Sequence, residues 1–245
     1  MKIIRQNKDL KKLKNKINSI SFVPTMGGLH KGHESLIKEA LKKNRNVLVS
    51  IFVNPKQFNS KNDFDTYPRN FKKDVKILIK LGVKYLYYPK YRDIFSFKTK
   101  NQIYLHPFAK KLCGKYRPGH FKGVLDVVNR FLELLNPKYL YLGKKDFQQL
   151  ILIKKHIKKN KIKTLVISCN TIRDQYSLPY SSRNFNLNKK EKKLALKSAL
   201  SIKLNEEKMV IIDTFEINSF KTQELFTDLK KFDYDSALFI YSESG

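Results

Sequence analysis

Tryptophan is absent from these 245 residues, glycine occurs nine times, cysteine twice, and acidic residues number 21 against 51 lysines and arginines. Each scarcity excludes something. Cys113 and Cys169 stand in no CxxC or metal-ligand spacing, which excludes a disulfide scaffold and a zinc site, so the pair reads as reduced thiols of a cytosolic protein. No run approaches the roughly 18 apolar residues that a membrane span requires. The stretch Met1–Lys8 has no long apolar segment, so secretion is not expected. There is no internal repeat and no low-complexity linker. Arginine is scarce among the bases, 43 of which are lysine and eight arginine. Arginine is the usual reader of base edges and bidentate binder of phosphate. The lysines are spread over the whole chain, as in Lys11-Lys12-Leu13-Lys14, Lys42-Lys43, Lys72-Lys73 and Lys189-Lys190. With abundant Asn, Ile, Tyr and Phe, this resembles an AT-rich coding bias acting on solvated positions. The formal charge of +30 therefore predicts weak, salt-sensitive binding to polyanions, with neither a specific nucleic acid nor a membrane as partner.

What the chain does have is size and pattern. Its 245 residues exceed the usual single domain of about 100–200, so one large or two unequal domains are expected. An apolar content of 41% suffices for a real core. The most informative stretch is Val23-Pro24-Thr25-Met26-Gly27-Gly28-Leu29-His30-Lys31-Gly32-His33. It runs from a short apolar strand, through a Gly-Gly turn, into two histidines, and Glu34–Leu41 then reads as an amphipathic helix. Such a strand, turn and helix start predict an anion site, with backbone N–H groups and the helix dipole directed at phosphate. The glycines permit close backbone approach and φ > 0. The imidazoles can donate to phosphate oxygens and are expected to change charge near neutral pH. The four residues His-x-Gly-His alone read equally as two surface histidines beside a turn; their strand-and-helix setting favours a nucleotide phosphate site.

The rest of the chain alternates strands and helices. Strands are predicted at Val47–Val53, Tyr85–Tyr88, Tyr139–Leu142 and Thr164–Ser168, and helices at Phe71–Leu81, Val124–Leu135 and Phe147–Lys159. This order predicts an α/β fold, a Rossmann-like parallel sheet with helices on both faces over residues 1–175. A small, shortened α+β domain is expected over 176–245, with helices at Lys189–Lys208 and Thr222–Lys231 and strands at Met209–Asp213 and Ala237–Ile240. Ligands of such sheets bind at the carboxyl ends of the strands.

Four further polar clusters fall in loops. Phe52–Phe58 carries the amides of Asn54 and Gln57, suited to a small polar substrate. Arg117-Pro118-Gly119-His120 is a rigid turn bearing a guanidinium and an imidazole. Gly143–Gln149 joins a strand end to a helix start, with lysine for phosphate and Asp146 for a ribose hydroxyl. Ser181-Ser182-Arg183-Asn184 is a hydroxyl-and-arginine loop expected to be mobile and to close over a triphosphate. Singly, each also reads as an Asn-Pro turn, a surface Arg–carboxylate pair, a lysine-rich helix start or a serine-rich joint. Together they supply cations and hydrogen-bonding groups but no Ser-His-Asp or Cys-His nucleophile, which suits in-line attack on a nucleotide phosphate.

With these elements assembled, the chain resembles the pantothenate synthetase (pantoate–β-alanine ligase) family of the His-x-Gly-His nucleotidyltransferase superfamily. The matching pieces are Val23 through His33, Ser50 through Phe58, Tyr67-Pro68-Arg69, Arg117 through Gly123, Lys145 through Gln149 and Ser181 through Asn184, in the family's order and over roughly residues 20–185. The resemblance implies ATP, with Mg2+, activating pantoate as pantoyl adenylate, which β-alanine then converts to pantothenate with release of AMP. It implies a cytoplasmic homodimer. It assigns ATP to Met26, Gly27, Gly28, Leu29, His30, Lys31, Gly32, His33, Gly143, Lys144, Lys145, Asp146, Ile172, Tyr180, Ser181, Ser182 and Arg183. His33, His30 and Lys145 are implied as catalytic, with His33 the proton donor and no dedicated protein metal site, although Asp74 is placed near the metal. Gln57 and Gln149 are implied to hold pantoate and β-alanine.

The chain departs from the family in three places. Lys144 stands where the family has Glu, which adds charge beside the triphosphate. Tyr176-Ser177-Leu178-Pro179-Tyr180 replaces a stretch such as Asp-Gly-Leu-Ala-Met, and gaining proline for glycine should stiffen the loop. The chain is also short for the family at its C-terminal lid domain, so weakened ATP affinity or stability is expected. Two alternatives stand beside the ligase: another small-molecule nucleotidyltransferase, and a decayed enzyme acting as a basic polyanion-binding protein. The Gln57/Gln149 pair argues against a phosphorylated acceptor, which would call for more cations.

Overall fold

Short β-branched runs alternate with amphipathic stretches, and the computed structural model turns that alternation into a parallel sheet covered on both faces. It describes residues 1–175 and 177–186, together with Asn188, Lys190, Glu191 and Leu194. Among the described residues the strands are β1 (Lys2–Ile4), β2 (Ser21–Thr25), β3 (Val47–Ile51), β4 (Tyr85–Tyr87), β5 (Tyr139–Gly143) and β6 (Leu165–Cys169). The helices are α1 (Asn7–Lys14), α2 (Lys31–Lys43), α3 (Lys61–Asp65), α4 (Phe71–Lys80), α5 (Tyr91–Phe95), α6 (Cys113–Tyr116), α7 (His120–Leu135) and α8 (Phe147–Lys159). All of these belong to the first of two compact units, Met1–Leu196. The expected domain over 176–245, with its helices and strands, falls almost wholly outside the described residues.

The strand order is β1-β4-β3-β2-β5-β6 and every pairing is parallel. Period-two alternation divides the apolar residues between two cores. Phe22, Leu48, Leu140 and Leu142 face one side, where they join Leu10 of α1, Ile94 of α5, Phe131 of α7 and Ile153 of α8. Val23, Val47, Val49, Ile51 and Tyr141 face the other, against Ile37 and Ala40 of α2 and Leu78 of α4. Each such side chain taken out of water contributes about 1.5–3 kcal/mol. α7 is the central helix of its layer, with eleven of its sixteen residues buried.

Helix ends follow local chemistry. α4 stops where Gly82 turns left-handed at φ +78°, and α7 stops at Asn136, φ +46°, ahead of Pro137. α7 starts earlier than its apolar pattern predicts, because Gly119 at φ +79° turns the chain so that His120 already lies in the helix. The strand expected to reach Val53 ends at Ile51. β1 and α1 are additions; α1 is half lysine and shows only Leu10 and Leu13, one helical turn apart, to the core.

The order of strands positions the site. β2 lies between β3 and β5, and the sequence of connections reverses between β2 and β5. Open parallel sheets leave a crevice at the carboxyl ends of the strands flanking such a reversal. Met26 continues from β2 and Lys144 from β5, so the loops singled out in the sequence border that crevice.

Candidate active site

The turn after β2 is built by two acceptors. Thr25 Oγ1 donates to the Ser50 carbonyl on β3 at 2.6 Å and accepts the Gly27 N–H at 3.2 Å. Asp74, buried in the first turn of α4, accepts the Gly28 N–H with one oxygen at 2.9 Å and the Leu29 N–H with the other at 2.8 Å. Burial pushes the Asp74 carboxyl upward, and the two N–H donors favour its charged form. Gly27 and Gly28 sit at φ +82° and +60°, and a Cβ on Gly27 would lie 3.0 Å from Asp74 Oδ2. The turn's N–H groups therefore meet protein acceptors. The Gly-Gly turn is thereby fixed as the frame that leads into the start of α2, where His30 and His33 stand.

His30 caps α2, its Nδ1 accepting the Gly32 N–H at 3.1 Å, which places the ring proton on Nε2. The His30 and His33 rings lie 4.0 Å apart, tilted by 35°. His33 Nδ1 is buried with no hydrogen-bond partner among the described residues. Burial, then the charge of Lys145, pushes His30 down to about 4. Burial, then His30 and Lys145, pushes His33 down to about 3. Both rings are neutral at neutral pH without a ligand, which corrects the expectation that they titrate there. A bound polyanion reverses the sign, because a nearby negative charge favours the protonated form.

On the other side of β2, the turn Pro55–Gln57 follows β3 and carries Gln57. Buried Asn54 organises it: its Oδ1 accepts the Lys56 N–H at 3.2 Å, and its Nδ2 donates to the Gly123 carbonyl at 3.1 Å and to Gln57 Oε1 at 3.3 Å. Asn54 was expected as a second substrate amide; its amide is instead engaged within the protein and it orients Gln57, whose Nε2 lies 3.1 Å from Met26 Sδ. His120 Nδ1–H donates to the Gln57 carbonyl at 2.6 Å, leaving the Nε2 lone pair. α7 can approach this closely only through Gly123, where a Cβ would fall 2.2 Å from the Lys56 carbonyl oxygen.

One cleft joins these groups. Met26, His30, His33 and Gln57 line it with Lys145, Asp146 and Gln149 from the β5 side. Arg117 and His120 border it, as do Ser181, Ser182 and Arg183. Its apolar wall is Phe52 and Leu142 with Val124, Val127, Val128 and Phe131 of α7. Lys145 Nζ stands 3.3 Å from Asp146 Oδ1. Ser182 is buried, its Oγ donating to the Gly28 carbonyl at 3.0 Å and accepting the Tyr67 hydroxyl at 3.3 Å. Arg183 forks onto Asp63, with Nε 3.2 Å from Oδ1 and Nη2 2.9 and 2.8 Å from Oδ1 and Oδ2. Ser182 thus ties the 181–184 loop to the Gly-Gly turn in this structure.

Comparison with known proteins decides the family. The pantoate-beta-alanine ligase family model matches residues 2–238. A pantothenate synthetase of Clostridium botulinum (strain Okra / Type B1) is 40% identical over 246 residues, 96% of this chain and 86% of that protein. One from Francisella tularensis subsp. tularensis (strain WY96-3418) is 48% identical over 185 residues, 74% of this chain and 70% of that protein. This chain belongs to the pantoate–β-alanine ligase family. A crystal structure of the Francisella tularensis pantoate–β-alanine ligase, complexed with beta-gamma ATP and β-alanine, superposes with a TM-score of 0.76 at 38% identity, covering 94% of this chain and 85% of that one. The fold and the enzyme class follow from this membership.

Several residues drawn from the family lie beside the cleft and not on its wall. Gly143 ends β5, and Lys144 Nζ donates to Asn170 Oδ1 at 2.9 Å, so the extra charge is directed at Asn170. Lys31 Nζ lies 5.8 Å from the centre of the Tyr180 ring, which stacks on His30 at 6.3 Å. The Ile172 carbonyl accepts the Tyr180 N–H at 3.1 Å, and Arg173 bridges Pro179, so Pro179 and Tyr180 pair back onto Ile172 and Arg173. Gly27, Gly28 and Leu29 shape the turn, and Gly32 lies in the first turn of α2 against His30. Asp74, expected near the metal, braces that turn. Among the described residues no cluster of three or more His, Cys, Asp or Glu could hold a metal ion, and no helix is long and apolar enough to cross a membrane. Residue-level reading missed Asp63, the bracing by Thr25, and the apolar wall of α7, which it read only as a helix.

Proposed function

We propose that this chain joins pantoate to β-alanine at the expense of ATP, through pantoyl adenylate. The observation that carries the proposal is the convergence of His30, His33, Lys145 and Arg183 with Gln57 and Gln149 on one cleft at the sheet's reversal. The lining combines imidazoles and cations with the amides of Gln57 and Gln149 and an apolar wall. Pantoate is a small hydroxy acid with two geminal methyls, and that shape suits the amides and the Val124–Phe131 wall together. A phosphorylated acceptor would place its charge against those amides, so another nucleotidyltransferase fits less well.

In the first step a pantoate carboxylate oxygen bonds to the α-phosphorus of ATP and the bond to the β-phosphate oxygen breaks, releasing pyrophosphate. Lys145, Arg183 and the Ser181 hydroxyl hold phosphate oxygens, while Ser182, bound to the Gly28 carbonyl, anchors their loop, and His30 Nε2–H and His33 meet the charge that develops there. The ribose rests at Asp146, and Ile172 N–H serves the adenine. Mg2+ accompanying the nucleotide would neutralise phosphate charge; a cation of this kind is held by one or two carboxylates and the phosphates themselves, and Asp146 is the carboxylate on the cleft wall. In the second step the β-alanine nitrogen attacks the acyl carbon, AMP leaves with the carboxylate oxygen, and the nitrogen loses a proton. Positioning supplies most of the rate, because the two reactants share one cleft. The enzyme is proposed to act as a cytoplasmic homodimer with residues 176–245 as its lid. Incubation with ATP, pantoate and β-alanine tests this: pantothenate, AMP and pyrophosphate should form in equal amounts. Formation of none, together with tight RNA binding at physiological salt, would support the polyanion-binding alternative.

A further inference from the structure

Arg183 reaches the cleft from the loop 181–183, yet its guanidinium is held from outside that loop. Asp63 of α3 takes Nε–H and Nη2–H as a fork, at 2.8 to 3.2 Å. Among the described residues Nη1 has no partner, and the guanidinium carbon stands 5.7 Å from the centre of the Tyr67 ring. A guanidinium is planar with donors in fixed directions, so fixing one edge fixes where the other edge points.

The segment that presents Asp63 is itself held. Ser60 Oγ accepts the Asp63 N–H at 3.4 Å. Arg69 donates to the Phe64, Asp65 and Tyr67 carbonyls. Phe58 packs edge-on against both Phe64 and Tyr67, at 5.3 and 5.6 Å between ring centres. Two links, Asp63 to Arg183 and Tyr67 to Ser182, therefore tie residues 63–67 to the nucleotide loop. Arg183 and Asp63 remain substantially exposed, with side-chain exposures of 51% and 36%, so their pairing adds little to stability. What it fixes is orientation.

We infer that Asp63 is a positioning residue for the nucleotide: it holds one edge of Arg183 so that the Nη1 edge is already aimed at a phosphate when ATP arrives. This rests on the ligase reading and deepens it. Removing Asp63 also removes a negative charge near the phosphate site, which alone would tighten ATP binding, so the sign of the effect discriminates. Affinity for a non-hydrolysable ATP analogue, measured by calorimetry on the full chain, should weaken about tenfold in Asp63→Asn. Asp63→Glu, which keeps the charge and a reachable fork, should recover most of it. In the Arg183→Ala background Asp63→Asn should cause no further weakening, since its effect runs through Arg183. The kcat should change far less than the KM for ATP, because the lost contact is made in ground and transition states alike. Unchanged or tighter binding in Asp63→Asn, or an equal loss in the Arg183→Ala background, would overturn the inference alone. An unsubstituted protein that binds no ATP analogue would overturn the ligase reading and the inference with it.

Discussion

The His30 and His33 rings lie 4.0 Å apart, and the values to which they are pushed, about 4 and about 3, keep both neutral until an anion arrives. Burial and Lys145 set that state, and the triphosphate opposes it. NMR titration of the free protein should show neither ring gaining a proton between about pH 8 and about pH 5.5. ATP binding measured in buffers of different ionisation heat should then show net proton uptake. Free-protein titration near the ordinary 6.5 would contradict this account of the site.

The same burial sets an acid limit on stability. His30, His33, His120 and His156 all have folded values lowered beneath 6.5. The unfolded chain therefore binds more protons than the folded one below that pH. Their contribution is complete above about 6.5 and is lost as pH falls toward about 4 and about 3. His156 is fully buried, with Nε2 3.1 Å from Asn129 Oδ1 and Nδ1 accepting the Tyr104 N–H at 3.2 Å. The thermal midpoint should drop by several degrees between about pH 7.5 and about pH 5. A midpoint that is flat across that range would contradict the assignment of these rings as neutral.

Asp74 is expected to matter through the turn it braces. Asp74→Asn keeps the shape but gives the Gly28 and Leu29 N–H groups one acceptor where they had two, leaving a buried donor unpaired. That loss costs about 1–3 kcal/mol and should weaken ATP binding, because the turn aims His30 and His33. Denaturant unfolding and nucleotide titration read the two effects. Full stability with a selective loss of metal dependence would instead place Asp74 at the metal.

Gly123 tests how α7 sets the substrate end. A Cβ there would meet the Lys56 carbonyl oxygen at 2.2 Å, backbone against backbone. Gly123→Ala must push the Pro55–Gln57 turn away from α7, at about 1–3 kcal/mol or more. The KM for pantoate should rise more than the KM for ATP, because Gln57 moves and Lys145 does not. Equal changes in both would mean that the turn does not set pantoate binding.

The parallel sheet was legible because its strands are continuous apolar runs and its helices keep a clear apolar stripe. The cleft was legible as a set of loops, since His30, Gln57 and Lys145 each follow a strand end. What stayed hidden depends on contacts far apart in the chain. Asp74 reaches Gly28 across 46 positions, and Asp63 reaches Arg183 across 120. Neither spacing leaves a local signature. Asn54 carried the right chemistry for a substrate amide, but its burial beside Gly123 could not be read from Asn-Pro. The direction of the histidine shifts likewise comes from packing, whereas composition shows only that histidine titrates near neutrality.

In the proposed reaction a pantoate carboxylate oxygen attacks the α-phosphorus of ATP in this cleft. Pantoate carrying 18O in both carboxylate oxygens tests it most directly, with β-alanine and ATP supplied and the products weighed by mass spectrometry. One labelled oxygen should appear in AMP, one in the amide carbonyl of pantothenate, and none in pyrophosphate. Label retained wholly in unreacted pantoate, or found in inorganic phosphate instead of AMP, would contradict it.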